Sequence, residues 1–156
     1  MVRKVCKDLE YQSDNVVRGR SMAGAKINQI ANVVGELKGD AKRHLVIMTG
    51  TNNIQEDDCR GIVSGYRMLL DRAKEVENRN ITVVGILRRF DTTETVERKR
   101  SLVNMRLREL CKAKQVEFIN LDVQPSMLES DGVHLNLKGR EFVGRKFMKH
   151  CLYFLD

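Results

Sequence analysis

HLVIMTG, residues 44–50, is a short apolar run closed by Thr49 and Gly50. It is too short for a buried helix and is bounded by polar and glycine signals, so it reads as a strand buried on both faces. Two other runs share this character: ITVVGIL, Ile81 to Leu87, and VEFINL, Val116 to Leu121. DNVVRG, Asp14 to Gly19, is a further strand candidate.

Helical spacing fills the gaps. Ile27, Ile30, Ala31 and Val34 recur every three or four residues, and so do Ile62, Tyr66, Leu69, Ala73 and Val76. Val96, Val103, Leu107 and Leu110 repeat the pattern with charges between them. Phe142, Val143, Phe147, His150 and Cys151 mark a last helix, and Val2, Val5, Cys6 and Leu9 a first one. Apolar strands alternating with amphipathic helices predict an α/β fold with a parallel sheet covered on both faces, joined by right-handed crossovers. In such folds the site lies beyond the carboxyl ends of the strands.

Composition narrows the class. The chain has 156 residues, enough for one domain with its own core. Its hydrophobic content of 42% and charged content of 31% are those of an ordinary globular chain. No apolar run reaches the length of a membrane span, and MVRKVCKDLEYQ is too charged for a signal peptide. One proline, no repeat and no low-complexity stretch leave no linker. Cys6, Cys59, Cys111 and Cys151 show no CxxC and no zinc-ligand spacing, so no metal or cofactor is expected. They read as free thiols in a reducing, intracellular compartment, cytoplasmic or nuclear. The excess of 28 Lys and Arg over 21 Asp and Glu, a net +7, favours anionic partners.

Polar residues collect at the strand ends. TGTNNI, Thr49 to Ile54, follows the first clear strand; RGRSMAGAKI, Arg18 to Ile27, follows the candidate before it; a loop after Leu121 leads to DGVHLN, Asp131 to Asn136. A parallel sheet would bring Gly24, Asn52, Asn53, Asp131 and His134 to one rim. Their chemistry is complementary. A histidine beside a carboxylate is the base half of a nucleophilic triad, the carboxylate holding the tautomer. An asparagine amide and a glycine N–H are common donors to an oxyanion. Each residue alone also has a plainer reading: His134 as a loop or N-cap histidine, Asp131 as a turn residue, GTNN as a capped strand-to-helix turn, Gly24 as a loop glycine.

Together these blocks resemble the SGNH hydrolases, also called the GDSL esterase/lipase superfamily. SMAGAK is similar to the family's second block, with Gly24 as its glycine. GTNN is similar to the third, with Asn52 at the oxyanion asparagine, and DGVHLN to the last, with Asp131 and His134 at the triad positions. The order and spacing follow the family over nearly the whole chain. The resemblance implies a three-layer αβα sandwich of flavodoxin-like topology, a single domain over residues 1–156. It also implies hydrolysis of an acetyl, short acyl or lipid ester. MTGTNNI and DGVHLNLKGREFVGRKF further resemble the esterase-type domains of some LINE-type (non-LTR) retrotransposons.

The chain departs from the family in two places. It contains no Gly-Asp-Ser; Ser13, Ser21, Ser64, Ser101, Ser126 and Ser130 stand in other contexts. MVRKVCKDLE is similar to the segment after that serine, so the expectation is an N-terminally truncated domain. It lacks both its nucleophile and its first strand, and is inactive as given. Asn53 also stands where the family's third block has aspartate. The competing function is a non-catalytic basic module binding nucleic acid weakly, or a protein partner. Its candidate residues are Arg88, Arg89, Arg98, Lys99, Arg100, Arg106 and Arg108. These also fit a solvated helix face, and 5% aromatic content without Trp offers few stacking platforms for single strands.

Overall fold

The computed structural model describes residues 20, 22–37, 44–76 and 80–152, with backbone alone at 151 and 152. Its elements run α1 (Ile27–Gly35), β1 (His44–Met48), α2 (Asn53–Glu56), α3 (Cys59–Glu75), β2 (Asn80–Val84), α4 (Glu94–Ala113), β3 (Glu117–Ile119), a 3-10 turn (Pro125–Met127) and α5 (Leu137–Leu152). The expected first helix and the strand candidate at 14–19 lie outside the described residues. The described residues divide into two compact units, one drawn from 24–87 and 92–121, the other from 20–23, 88–91 and 122–152.

The first unit holds the sheet. Its order is β1-β2-β3 and all pairs are parallel. His44 stands opposite Asn80 and Met48 opposite Val84; Thr82 opposite Glu117 and Val84 opposite Ile119. The ladder reaches one residue further, where Gly85 N–H donates to Ile119 O at 2.9 Å. The three apolar runs therefore form strands, though each strand is shorter than its run. Beyond Val84 the backbone of Ile86 turns to a side chain instead. Asn104 Oδ1 accepts from Ile86 N at 2.8 Å, and Asn104 Nδ2 donates to Ile86 O at 3.0 Å. One buried amide thus replaces a strand neighbour.

The helices of this unit form where apolar spacing and caps agree. Ile27, Ala31 and Val34 are the buried stripe of α1. Ile62, Tyr66, Leu69, Leu70 and Ala73 are that of α3, whose N-cap Asp58 accepts from Gly61 N at 2.6 Å. Val103, Leu107, Leu110 and Cys111 are buried on α4, capped by Thr93. These stripes, with Ile47, Ile81 and Val83, close into one core. Deleting a leucine such as Leu69 or Leu107 there would cost about 2–5 kcal/mol.

The second unit is built around α5. Its helix begins at Leu137, five residues ahead of the apolar pattern that announced it, because Asn136 caps it: Asn136 Oδ1 accepts from Gly139 N at 3.0 Å. The 3-10 turn packs close on Gly139, where a Cβ would fall 2.1 Å from Met127 O. Among the described residues, no helix is long and apolar enough to cross a membrane.

Candidate active site

DGVHLN is a loop organised from its own ends. Leu128 and Leu135 form an antiparallel bridge. Glu129 N donates to His134 O at 2.7 Å, and the Asn136 amide donates to Ser126 O and Leu128 O. Gly132 sits at φ +68, and a Cβ there would meet Phe90 and Asp91 backbone atoms at 3.3 Å. Phe90 N donates to Gly132 O at 3.0 Å, so the segment after β2 seats the turn.

Asp131 and His134 meet as their spacing implied. Asp131 Oδ1 accepts the backbone N–H groups of Val133 and His134, both at 2.9 Å. Asp131 Oδ2 lies 2.5 Å from His134 Nδ1. Those hydrogen bonds, from the His134 backbone and ring and the Val133 backbone, hold the Asp131 pKa down at about 2. An ionised carboxylate at Nδ1 leaves Nε2 as the ring's proton acceptor. The pair is open to solvent, with side-chain exposures of 65% for His134 and 47% for Asp131. The Arg89 guanidinium, whose field reaches Asp131, is itself held on Asp91 through two hydrogen bonds of 2.9 and 2.6 Å.

Gly24 and Asn52 come together in the other unit. Asn52 Nδ2 donates to Ala25 O at 3.0 Å, and Gly24 has a left-handed φ of +69. The adjacent Asn53, buried, accepts from Ile27 N at 3.0 Å and donates to Asp57 Oδ2 at 2.5 Å. The turn that carries both asparagines is itself anchored from α3: Tyr66 Oη donates to Thr49 O at 2.8 Å. Burial pushes the Tyr66 hydroxyl pKa well above its ordinary value, so this donor stays protonated. Gly50, at φ +94, admits no Cβ, which would fall 2.8 Å from Ile86 Cδ1 and 3.0 Å from Tyr66 Oη.

The sequence named Asp131, His134, Asn52 and Gly24 as candidates and gave little sign of this scaffold. Asn53 carried one signal, its departure from the family aspartate. Tyr66 read only as a helix position, and Asn104 drew no reading at all.

The basic residues are mostly engaged locally. Arg98 pairs with Glu94 at 2.6 Å, and Lys99 Nζ donates to Asp57 O. Arg108 lies over the Phe118 ring and Arg88 over Phe90. Arg100, 14% exposed, pairs with Glu97 and donates to Ile86 O at 2.9 Å, so one member of ERKR points inward and is no part of a solvated face. Among the described residues no group of His, Cys, Asp and Glu could hold a metal ion. Cys59 and Cys111 are free thiols, and burial raises Cys111 to about 11.

The sequence profile of the GDSL-like Lipase/Acylhydrolase family matches residues 1–142. No curated protein matches the chain. Solved structures do. A GDSL-like lipase from Bacteroides thetaiotaomicron shares 17% identity at TM-score 0.79, over 96% of this chain and 81% of its own. A member of the lipolytic G-D-S-L family from Veillonella parvula shares 17% at 0.73, over 93% and 85%. A mutant acetyl esterase holding an acetate ion shares 18% at 0.69, over 96% and 90%. At such identities the likeness speaks for the fold, a three-layer α/β architecture on a parallel sheet.

Proposed function

From membership of the GDSL-like lipase/acylhydrolase family, to which this chain belongs, we propose that residues 1–156 form one domain of a serine ester hydrolase. Asp131, His134, Asn52 and Gly24 are its site. The observation that carries the reading is the Asp131–His134 contact of 2.5 Å, with the second carboxylate oxygen committed to the backbone of the same loop. His134 Nε2 would take the proton of a serine Oγ as it attacks the ester carbonyl, then return it to the leaving alcohol. Asp131 would hold Nδ1–H and stabilise the imidazolium. The Asn52 amide and the Gly24 N–H would donate to the oxyanion. Small acyl esters, acetyl among them, are the substrates this chemistry suits. The LINE-type retrotransposon reading rests on MTGTNNI and DGVHLNLKGREFVGRKF.

The 156 residues contain no Gly-Asp-Ser, so the reaction as proposed needs a serine that these residues do not supply in that context. Without it only the residual acceleration of oxyanion donors and binding remains, typically about 10³–10⁴ over water. The test adds an apolar strand ending in Gly-Asp-Ser ahead of Met1 and assays p-nitrophenyl acetate hydrolysis. The extended chain should hydrolyse the ester, the unextended chain should not, and His134→Ala should abolish the gain. Turnover that survives His134→Ala overturns the reading.

A further inference from the structure

We infer that Asn53 is a positioning residue. With Asp57 it fixes the Gly24–Ile27 segment against the turn that presents Asn52, and so sets the spacing of the two oxyanion donors. The inference rests on the ester-hydrolase reading for its functional meaning, but its structural basis is separate. Two consecutive side chains grip one three-residue segment with opposite polarity. Asn52 Nδ2 donates to Ala25 O, and Asn53 Oδ1 accepts from Ile27 N, both at 3.0 Å. Ile27 opens α1, so its N–H has no partner within the helix and must find one outside it. The neighbouring Lys26 N–H is taken by Gln29 Oε1 at 2.9 Å. Asn53 is therefore an N-terminal cap supplied from 26 residues away.

The residue type at 53 follows from its two partners. One end must accept from a backbone N–H and the other must donate to the Asp57 carboxylate, 2.5 Å away. An amide does both; a carboxylate can do only the first, and would face Asp57 as a like charge. Asp57 is held in turn, with Lys26 Nζ 3.7 Å from its Oδ1 and Lys99 Nζ donating to its backbone oxygen at 3.1 Å. The chain thus departs from the family aspartate and supplies a carboxylate four residues later. Because Asn53 is buried, no solvent substitutes for a lost partner without rearrangement.

The test uses the chain as it stands, with acetate as the probe. Amide spectra of the folded protein follow the Gly24 N–H, the Ile27 N–H and the Asn52 side-chain amide during an acetate titration. Asn53→Asp should shift all three and weaken acetate binding by about tenfold or more, the factor expected when a buried hydrogen bond is lost. Asp57→Asn, which keeps an acceptor for Asn53, should change little. The double variant N53D/D57N restores a donor opposite an acceptor and should return the signals and the affinity. Asn53→Asp leaving the three signals and the affinity unmoved, or the double variant failing to restore them, overturns the inference. If N53D alone does not fold, the double variant still decides. Acetate that moves neither Gly24 nor Asn52 in the unsubstituted chain overturns the hydrolase reading and the catalytic meaning of Asn53. The grip itself is then judged by the variant shifts alone.

Discussion

Asp131 holds His134 twice, once at the ring and once at the backbone. Its Oδ2 lies 2.5 Å from His134 Nδ1 and its Oδ1 accepts from His134 N at 2.9 Å. A three-residue separation permits this only because Gly132, at φ +68, turns the chain back between them. The folded loop lowers the Asp131 pKa to about 2, against roughly 3.9 for an unfolded aspartate. A depressed carboxylate pKa stabilises the folded loop at pH values above the unfolded one, and that contribution is lost as pH falls from there through about 2. Titration of the Asp131 carboxyl carbon by NMR should show its midpoint near the lower value. A midpoint near the unfolded value would contradict the hydrogen bonding.

Gly132→Ala should loosen the same loop. A left-handed backbone costs an ordinary L-residue about 1–2 kcal/mol, and the new methyl would press on Phe90 and Asp91 at 3.3 Å. The bond from Phe90 N to Gly132 O should weaken with it. Hydrogen exchange at the Phe90 amide is the readout. Unchanged protection would mean the segment after β2 does not seat the turn.

Tyr66→Phe should destabilise the chain by about 1–3 kcal/mol, because the Thr49 carbonyl loses the donor that the buried Tyr66 hydroxyl supplies. Gly50→Ala should cost more, since it combines a left-handed φ of +94 with contacts of 2.8 and 2.9 Å to the Ile86 side chain. Urea denaturation of both variants gives the order. Gly50→Ala proving the milder of the two would show that Ile86 can yield.

Asn104→Ala should also cost about 1–3 kcal/mol, because Ile86 N–H and C=O both lose a partner. Asn104→Asp should cost more at neutral pH than Asn104→Ala. Its carboxylate can accept from Ile86 N but meets Ile86 O without a hydrogen to donate. Thermal melting of the two variants separates an amide acting as a strand neighbour from one that merely fills space, for which the order would reverse.

The alternation of strands and helices was legible because burial is periodic along the chain. Leu45–Met48 are apolar at every position, and Ile81–Val84 at every position but Thr82, which is buried with its hydroxyl 2.7 Å from His44 Nε2; strands covered on both faces favour such runs. Helical stripes such as Ile62, Tyr66, Leu69 and Ala73 follow from 3.6 residues per turn. Asp131 and His134 were legible for a related reason: their partners lie within one short loop, so spacing alone places them.

The scaffold around the candidate residues was decided by tertiary structure, because its hydrogen bonds join residues far apart in the chain. Asn53 and Ile27 are 26 residues apart, Tyr66 and Thr49 17, Asn104 and Ile86 18. A polar side chain on a helix carries no local mark of the carbonyl it will meet. Arg100 sits in ERKR like its neighbours, yet it turns inward because β2 ends at Val84 and leaves the Ile86 carbonyl in need of donors. Which strands and helices form is a local hydrophobic question; where a strand stops, and which amide holds its end, depends on backbone groups that only packing brings within reach.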